Sequence, residues 1–129
     1  MKNLLIIIFI FFCSSKIFAI ESKEKGIDLI FSNEYEKAYN ILIYYAEKND
    51  PEAQTFIGLM HYHGHYVDAD IYAAHKWIKK AANQGFGWAQ FVLADFYIFN
   101  RIESGSIEEA YELLLSSVKN EYLLSYNYL

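Results

Sequence analysis

Residues 53–90 read AQTFIGLMHYHGHYVDADIYAAHKWIKKAANQGFGWAQ, and two apolar periods inside this stretch decide the architecture. Ala53, Phe56, Ile57 and Met60 fall at i, i+3, i+4 and i+7, and Ala74, Ile78 and Ala82 at i, i+4 and i+8. Each set marks one stripe of an amphipathic helix. Gly64 lies in the turn between them and Asp70 stands just before the second set, where its carboxylate can cap a helix N-terminus. The stretch predicts a helical hairpin.

Working outward, the same pattern recurs at an offset of 36. Ala38, Ala74 and Ala110 align, as do Leu42, Ile78 and Leu114, then Ala46, Ala82 and Val118, and Ile41, Trp77 and Leu113. A second ladder runs Ala53, Ala89, Ser125, then Phe56, Val92, Tyr128, then Ile57, Leu93, Leu129. Ser106 with Glu109 has capping-box form, and Pro51 after Asp50 suits a first helical turn. Gly85 and Gly87 read as stops between consecutive hairpins. Helices are expected near 22–31, 34–48, 51–62, 70–83, 87–100 and 106–120, with a truncated one from 122. Hairpins too small to bury their own faces must stack, which predicts an all-α chain: a short α/α solenoid, or superhelix, of about three antiparallel helical hairpins.

Ala53, Ile57, Gly58, Met60, Gly64, Val67, Asp70, Ala74, Trp77, Lys80, Ala81, Ala82, Gly85, Ala89 and Gln90 together resemble the Sel1-like repeat, a tetratricopeptide-like helical hairpin. The best-matching unit is 53–88, with partial units on either side. His61 stands where the family usually has tyrosine, Tyr66 where a second turn glycine is usual, and Ala94 replaces a usual glycine. The resemblance implies a scaffold or adaptor that binds other proteins. Exported bacterial members of similar layout include host-contact factors and inhibitors that neutralise a toxin.

The start of the chain supports export. Lys2 precedes an unbroken apolar run over Leu4 to Phe12, and Ala19 offers a cleavage site, so residues 1–19 read as a signal peptide and 20–129 as the repeat domain. The run is about half of the roughly 20 residues that span a bilayer, which argues against stable membrane insertion after cleavage. The protein is therefore expected in the periplasm or secreted. Cleavage would also remove Cys13, the single cysteine, leaving no thiol for a disulfide, a thiolate metal site or a nucleophile. With 16 acidic against 11 basic residues and a formal charge of −5, nucleic acid is not an expected partner. The 54% hydrophobic content excludes a disordered chain.

Aromatic rings beyond what the ladders require point to a binding surface. Trp88 and Phe91 fall off the core stripe of their helix, and their equivalents one unit earlier are Glu52 and Thr55. In tetratricopeptide-like solenoids the first helix of each hairpin lines the concave side, so Thr55, Leu59, Tyr62, Trp88, Phe91 and Asp95 form the expected groove for a protein partner. Packing of Trp88 and Phe91 against neighbouring helices is the competing account. The apolar C-terminal end, with Tyr122, Leu123, Leu124, Tyr126, Tyr128 and Leu129, is either a cap or a second docking face.

Two other classes compete with binding. His61, His63 and His65 alternate and could offer imidazoles to zinc, copper or nickel, which would make a periplasmic metal-binding protein. Against it, His61 stands at a core position and His75 falls in the helix ladder. A hydrolase of cell-wall or β-lactam type comes third. The serines lie in no G-x-S-x-G or S-x-x-K context, and the paired cysteines of the β-lactam-associated relatives are missing. No cofactor and no enzymatic activity are expected.

Overall fold

The computed structural model describes residues 21–120 and residue 122. The segment read as a signal peptide and the stretch 123–129 lie outside the described residues. Six helices follow one another: α1 (Lys23–Phe31), α2 (Tyr35–Glu47), α3 (Pro51–His63), α4 (Ile71–Ala82), α5 (Gly87–Ile98) and α6 (Ile107–Lys119). Among the described residues there is no strand. Each helix packs on the next through a short connection, and α3 also touches α5. Short connections make neighbours antiparallel, so the chain is an all-α helical repeat.

The helix starts follow from local chemistry. The Ser22 hydroxyl accepts from the Lys25 N–H, and Asp50 Oδ1 accepts from the Ala53 N–H at 2.9 Å with Pro51 beside it. Asp70 Oδ1 accepts from the N–H groups of Tyr72 and Ala73, and Ser106 and Glu109 close a reciprocal capping box. These side chains satisfy N–H groups that a helix start leaves without partners. Expected and observed boundaries agree within two residues. The largest difference is at α5, which ends at Ile98 because Asn100 takes a left-handed φ of +46°.

The period of 36 governs backbone as well as core. Gly64 and Asn100 occupy equivalent positions and both have positive φ, and so do Asn49 and Gly85. Glycine and asparagine are the residues that enter this conformation at least cost. Tyr66, with φ +69°, carries a bulky side chain into the same region at the position where the repeat usually has glycine. Its exposed ring rests 5.5 Å from that of Tyr39, so the loop after Gly64 projects an aromatic ring.

The central rungs of both apolar ladders are buried, and the rung at Ser125, Tyr128 and Leu129 lies outside the described residues. Ala38, Leu42, Ala46, Ala74, Ile78, Ala82, Ala110 and Leu114 form the stripe of the second helices, and Ala53, Ile57, Ala89 and Leu93 that of the first helices. The core divides into one cluster around Leu42, Ile57 and Met60 and another around Ile78, Leu93, Phe96 and Leu114. Such nearest-neighbour packing is that of a stacked repeat. At Gly58 a Cβ would sit 2.6 Å from Ile78 Cγ1, so the missing side chain lets α3 lie against α4. Gly87 corrects the sequence reading. It is not a stop but the buried first residue of α5. There the Ser117 hydroxyl donates to its carbonyl at 2.6 Å, and a Cβ would stand 3.0 Å from the Asn120 carbonyl.

Candidate functional site

The side of the array formed by the first helices brings most of the expected groove together, with one correction. Thr55 is fully buried, and its hydroxyl donates to the Pro51 carbonyl at 2.8 Å within α3. A threonine whose hydroxyl is satisfied by its own helix can be buried without an orphaned polar group. It therefore leaves the candidate surface.

The other five are half-buried. Trp88 lies edge-on to Phe56 of α3, ring centroids 4.9 Å apart, and to Phe86 at 6.3 Å. Phe91 packs at 5.3 Å on the ring of Tyr122. Leu59 and Tyr62 border the larger core cluster, and the Tyr62 ring lies 5.1 Å from buried Phe96. Trp88 and Phe91 thus both pack on neighbours and keep part of their surface open. Of the C-terminal docking face, all but Tyr122 lies outside the described residues.

Asp95 leads to a residue the sequence reading passed over. Arg101, the chain's single arginine, donates from Nε to Asp95 Oδ2 at 3.2 Å and from Nη1 to the Tyr62 hydroxyl. Its guanidinium also lies 5.3 Å from the centroids of both the Tyr62 and Phe99 rings. A planar cation with several donors can hydrogen-bond and stack at once, which lysine cannot. The signal was compositional: one arginine among lysines, just past an aromatic helix.

The histidines continue this cluster. His63 sits edge-on to Tyr62 at 4.8 Å and stacks on His65 at 5.3 Å, and His65 stacks on Tyr35 at 4.1 Å. Tyr35, His65, His63, Tyr62, Arg101 and Phe99 form one continuous row across the loop edge of the three hairpins. His63 belongs to the last turn of α3, not to the loop. Burial holds its imidazole below the ordinary range, with the charges of His65 and Arg101 adding to the effect.

His61 departs from the other two. Its ring lies edge-on to Tyr39 at 6.2 Å, and its Nδ1 is buried with no hydrogen-bond partner among the described residues. Among the described residues no three His, Cys, Asp or Glu side chains converge as metal ligands, so His61, His63 and His65 do not assemble as the metal reading required. His75 is half-buried, with its Nε2 3.1 Å from the Tyr97 hydroxyl.

Residues 51–86 match the Sel1 repeat, two residues out of step with the 53–88 unit that the sequence pattern predicts. Among solved structures, that of a Sel1 repeat protein from Oxalobacter formigenes is similar to this chain, with a TM-score of 0.73 and 29% sequence identity. The match covers 80% of this chain and 41% of that one, so this chain spans about two-fifths of its length. No curated protein matches the sequence. No helix of the described residues is long and apolar enough to cross a membrane.

Proposed function

We propose, from the premise that this chain is a Sel1-like repeat protein, that it is an exported, non-enzymatic scaffold which binds another protein through the side where α3 and α5 meet. The observation that carries the reading is the surface made by Leu59, Tyr62, Trp88, Phe91 and Asp95. Large rings and a carboxylate stay partly open along two adjacent first helices. Aromatic anchors held by their own neighbours lose little conformational entropy when a partner covers them, which is the usual composition of an interface centre. Export rests on the character of residues 1–19. An adaptor, a host-contact factor and a toxin-neutralising inhibitor all use such a surface, and the partner's identity separates them.

The test is affinity capture from the native host with the wild-type chain beside the double variant Trp88→Ala, Phe91→Ala. Helical circular dichroism confirms that the variant is folded. A partner retained by wild type and lost by the folded variant supports the reading. Undiminished capture by the folded variant overturns the groove.

A further inference from the structure

The opposite side of the molecule, built by the second helices, carries a charge reversal between equivalent positions. Lys76 of α4 corresponds to Glu112 of α6. With its neighbours it makes the outer face of α4 basic, through Lys76 and Lys79, and that of α6 acidic, through Glu108 and Glu112. All four are exposed, and among the described residues none of them joins an ion pair.

Between the two helices runs an open groove of about 660 Å³, with Leu93 and Tyr97 of α5 at its floor, Lys79 on one wall and Glu108 and Glu112 on the other. The ridge of α6 beside it is apolar. Tyr111 is 51% exposed and Leu115 39%, on the same face as the two glutamates.

We propose that this face is a self-association surface, in which α6 of each copy lies in the α4–α6 groove of a second copy. A two-fold axis parallel to the helices does this with both copies equivalent. It sets Tyr111 and Leu115 of one chain over the apolar floor of the other and brings Glu112 of each against Lys79 of its partner. The charge pattern selects this arrangement. A two-fold axis perpendicular to the helices would set basic α4 on basic α4, and like charges across an interface are costly. The surface is separate from the one proposed for the protein partner, so a dimer would present two partner-binding sides outward.

The experiment is analytical ultracentrifugation of the full chain across concentration. Wild type is expected to dimerise below about 100 µM at low ionic strength and more weakly in salt, because exposed charges are screened. Lys79→Glu alone and Glu112→Lys alone are each expected to raise the dissociation constant at least about tenfold, since each places two like-charge contacts in the homodimer. An equimolar mixture of the two variants is expected to recover wild-type dimerisation, because in the mixed pair every contact is again opposite in sign. Tyr111→Gln with Leu115→Gln, both at exposed positions, is expected to weaken the dimer without loss of helicity. A monomeric wild type at that concentration, a dimer indifferent to both reversals, or failure of the mixture to recover overturns the proposal.

Discussion

Gln90 makes the same pair of hydrogen bonds as Gln54, one repeat earlier. Gln54 Nε2 donates to the Ala46 carbonyl at 3.1 Å, and its Oε1 accepts from Gln84 at 2.9 Å. Gln90 Nε2 donates to the Ala82 carbonyl at 3.4 Å, and its Oε1 accepts from Asn120 at 3.0 Å. Each glutamine sits near the start of a first helix and satisfies the end of the second helix before it, while the amide at the end of the next second helix closes the relay. Units are thus joined by a repeated polar link within an apolar stack.

Gln54→Leu is expected to destabilise the domain by about 1–3 kcal/mol, because it takes the side-chain donor from the Ala46 carbonyl, which keeps the Asn49 N–H, and removes partners from Asn49 and Gln84. Gln84→Ala, at an exposed position, is expected to cost under about 1 kcal/mol. Urea denaturation followed by circular dichroism measures both. Equal losses would mean that burial of Gln54 contributes nothing to its effect.

Gly58→Ala probes the contact between α3 and α4. The added methyl meets Ile78 Cγ1 at 2.6 Å and the Ala74 carbonyl at 3.1 Å, so the helices must separate or Ile78 must leave its rotamer. Overpacking of this kind costs about 1–3 kcal/mol, against a gain of roughly 1 kcal/mol in helix propensity. A net loss is expected, read as a lowered Tm. In an Ile78→Ala background, which removes Cγ1 itself, Gly58→Ala should cost less than in the wild type, a partial recovery read from a double-mutant cycle. No recovery would place the strain in the backbone.

Why these features differ in legibility is physical. Ala38, Leu42, Ala74, Ile78 and Leu114 showed themselves because helix burial imposes a period that any apolar residue obeys. Caps such as Asp50, Asp70 and Ser106 are local, so the sequence exposes them too. Thr55 misled because its hydroxyl is satisfied inside its own helix, which spacing alone does not reveal. Arg101 was missed because its partners Tyr62 and Asp95 come from two different hairpins, and the three meet only once α3 and α5 are adjacent. The His61, His63, His65 alternation suggested convergence, but His61 and His63 both lie in α3, where a two-residue step turns the side chain by about 200° around the helix. His61 turns to Tyr39 while His63 and His65 stack together.

Arg101→Met is expected to cost about 0.5–1.5 kcal/mol, the sum of a partly exposed ion pair with Asp95 and stacking on Tyr62 and Phe99. Arg101→Lys restores the charge but not the planar fork, so it should recover less than half of that loss. Chemical denaturation of the three proteins decides the matter. Full recovery by lysine would reduce the role of Arg101 to charge alone.

The row of rings at the loop edge gives a pH dependence with a defined sign. Burial holds His63 below the ordinary imidazole value of 6.5, with His65 and Arg101 adding to it. Burial holds His75 down as well, with Lys79 adding. The unfolded chain therefore binds these two protons at a higher pH than the folded chain does, and stability must fall wherever that difference exists. Tm is expected to be level above pH 6.5, to decline as the pH falls through 6.5 toward the depressed folded-state values, and to stop declining on their account below them. Loss of the carboxylate contribution of Glu34, whose pairing with Lys37 lowers it from 4.5, sets in only as the pH falls through 4.5. The double variant His63→Gln, His75→Gln should flatten the decline that begins at pH 6.5. A decline of unchanged size in that variant would assign the effect to other groups and leave the stacked His63–His65 pair without a part in it.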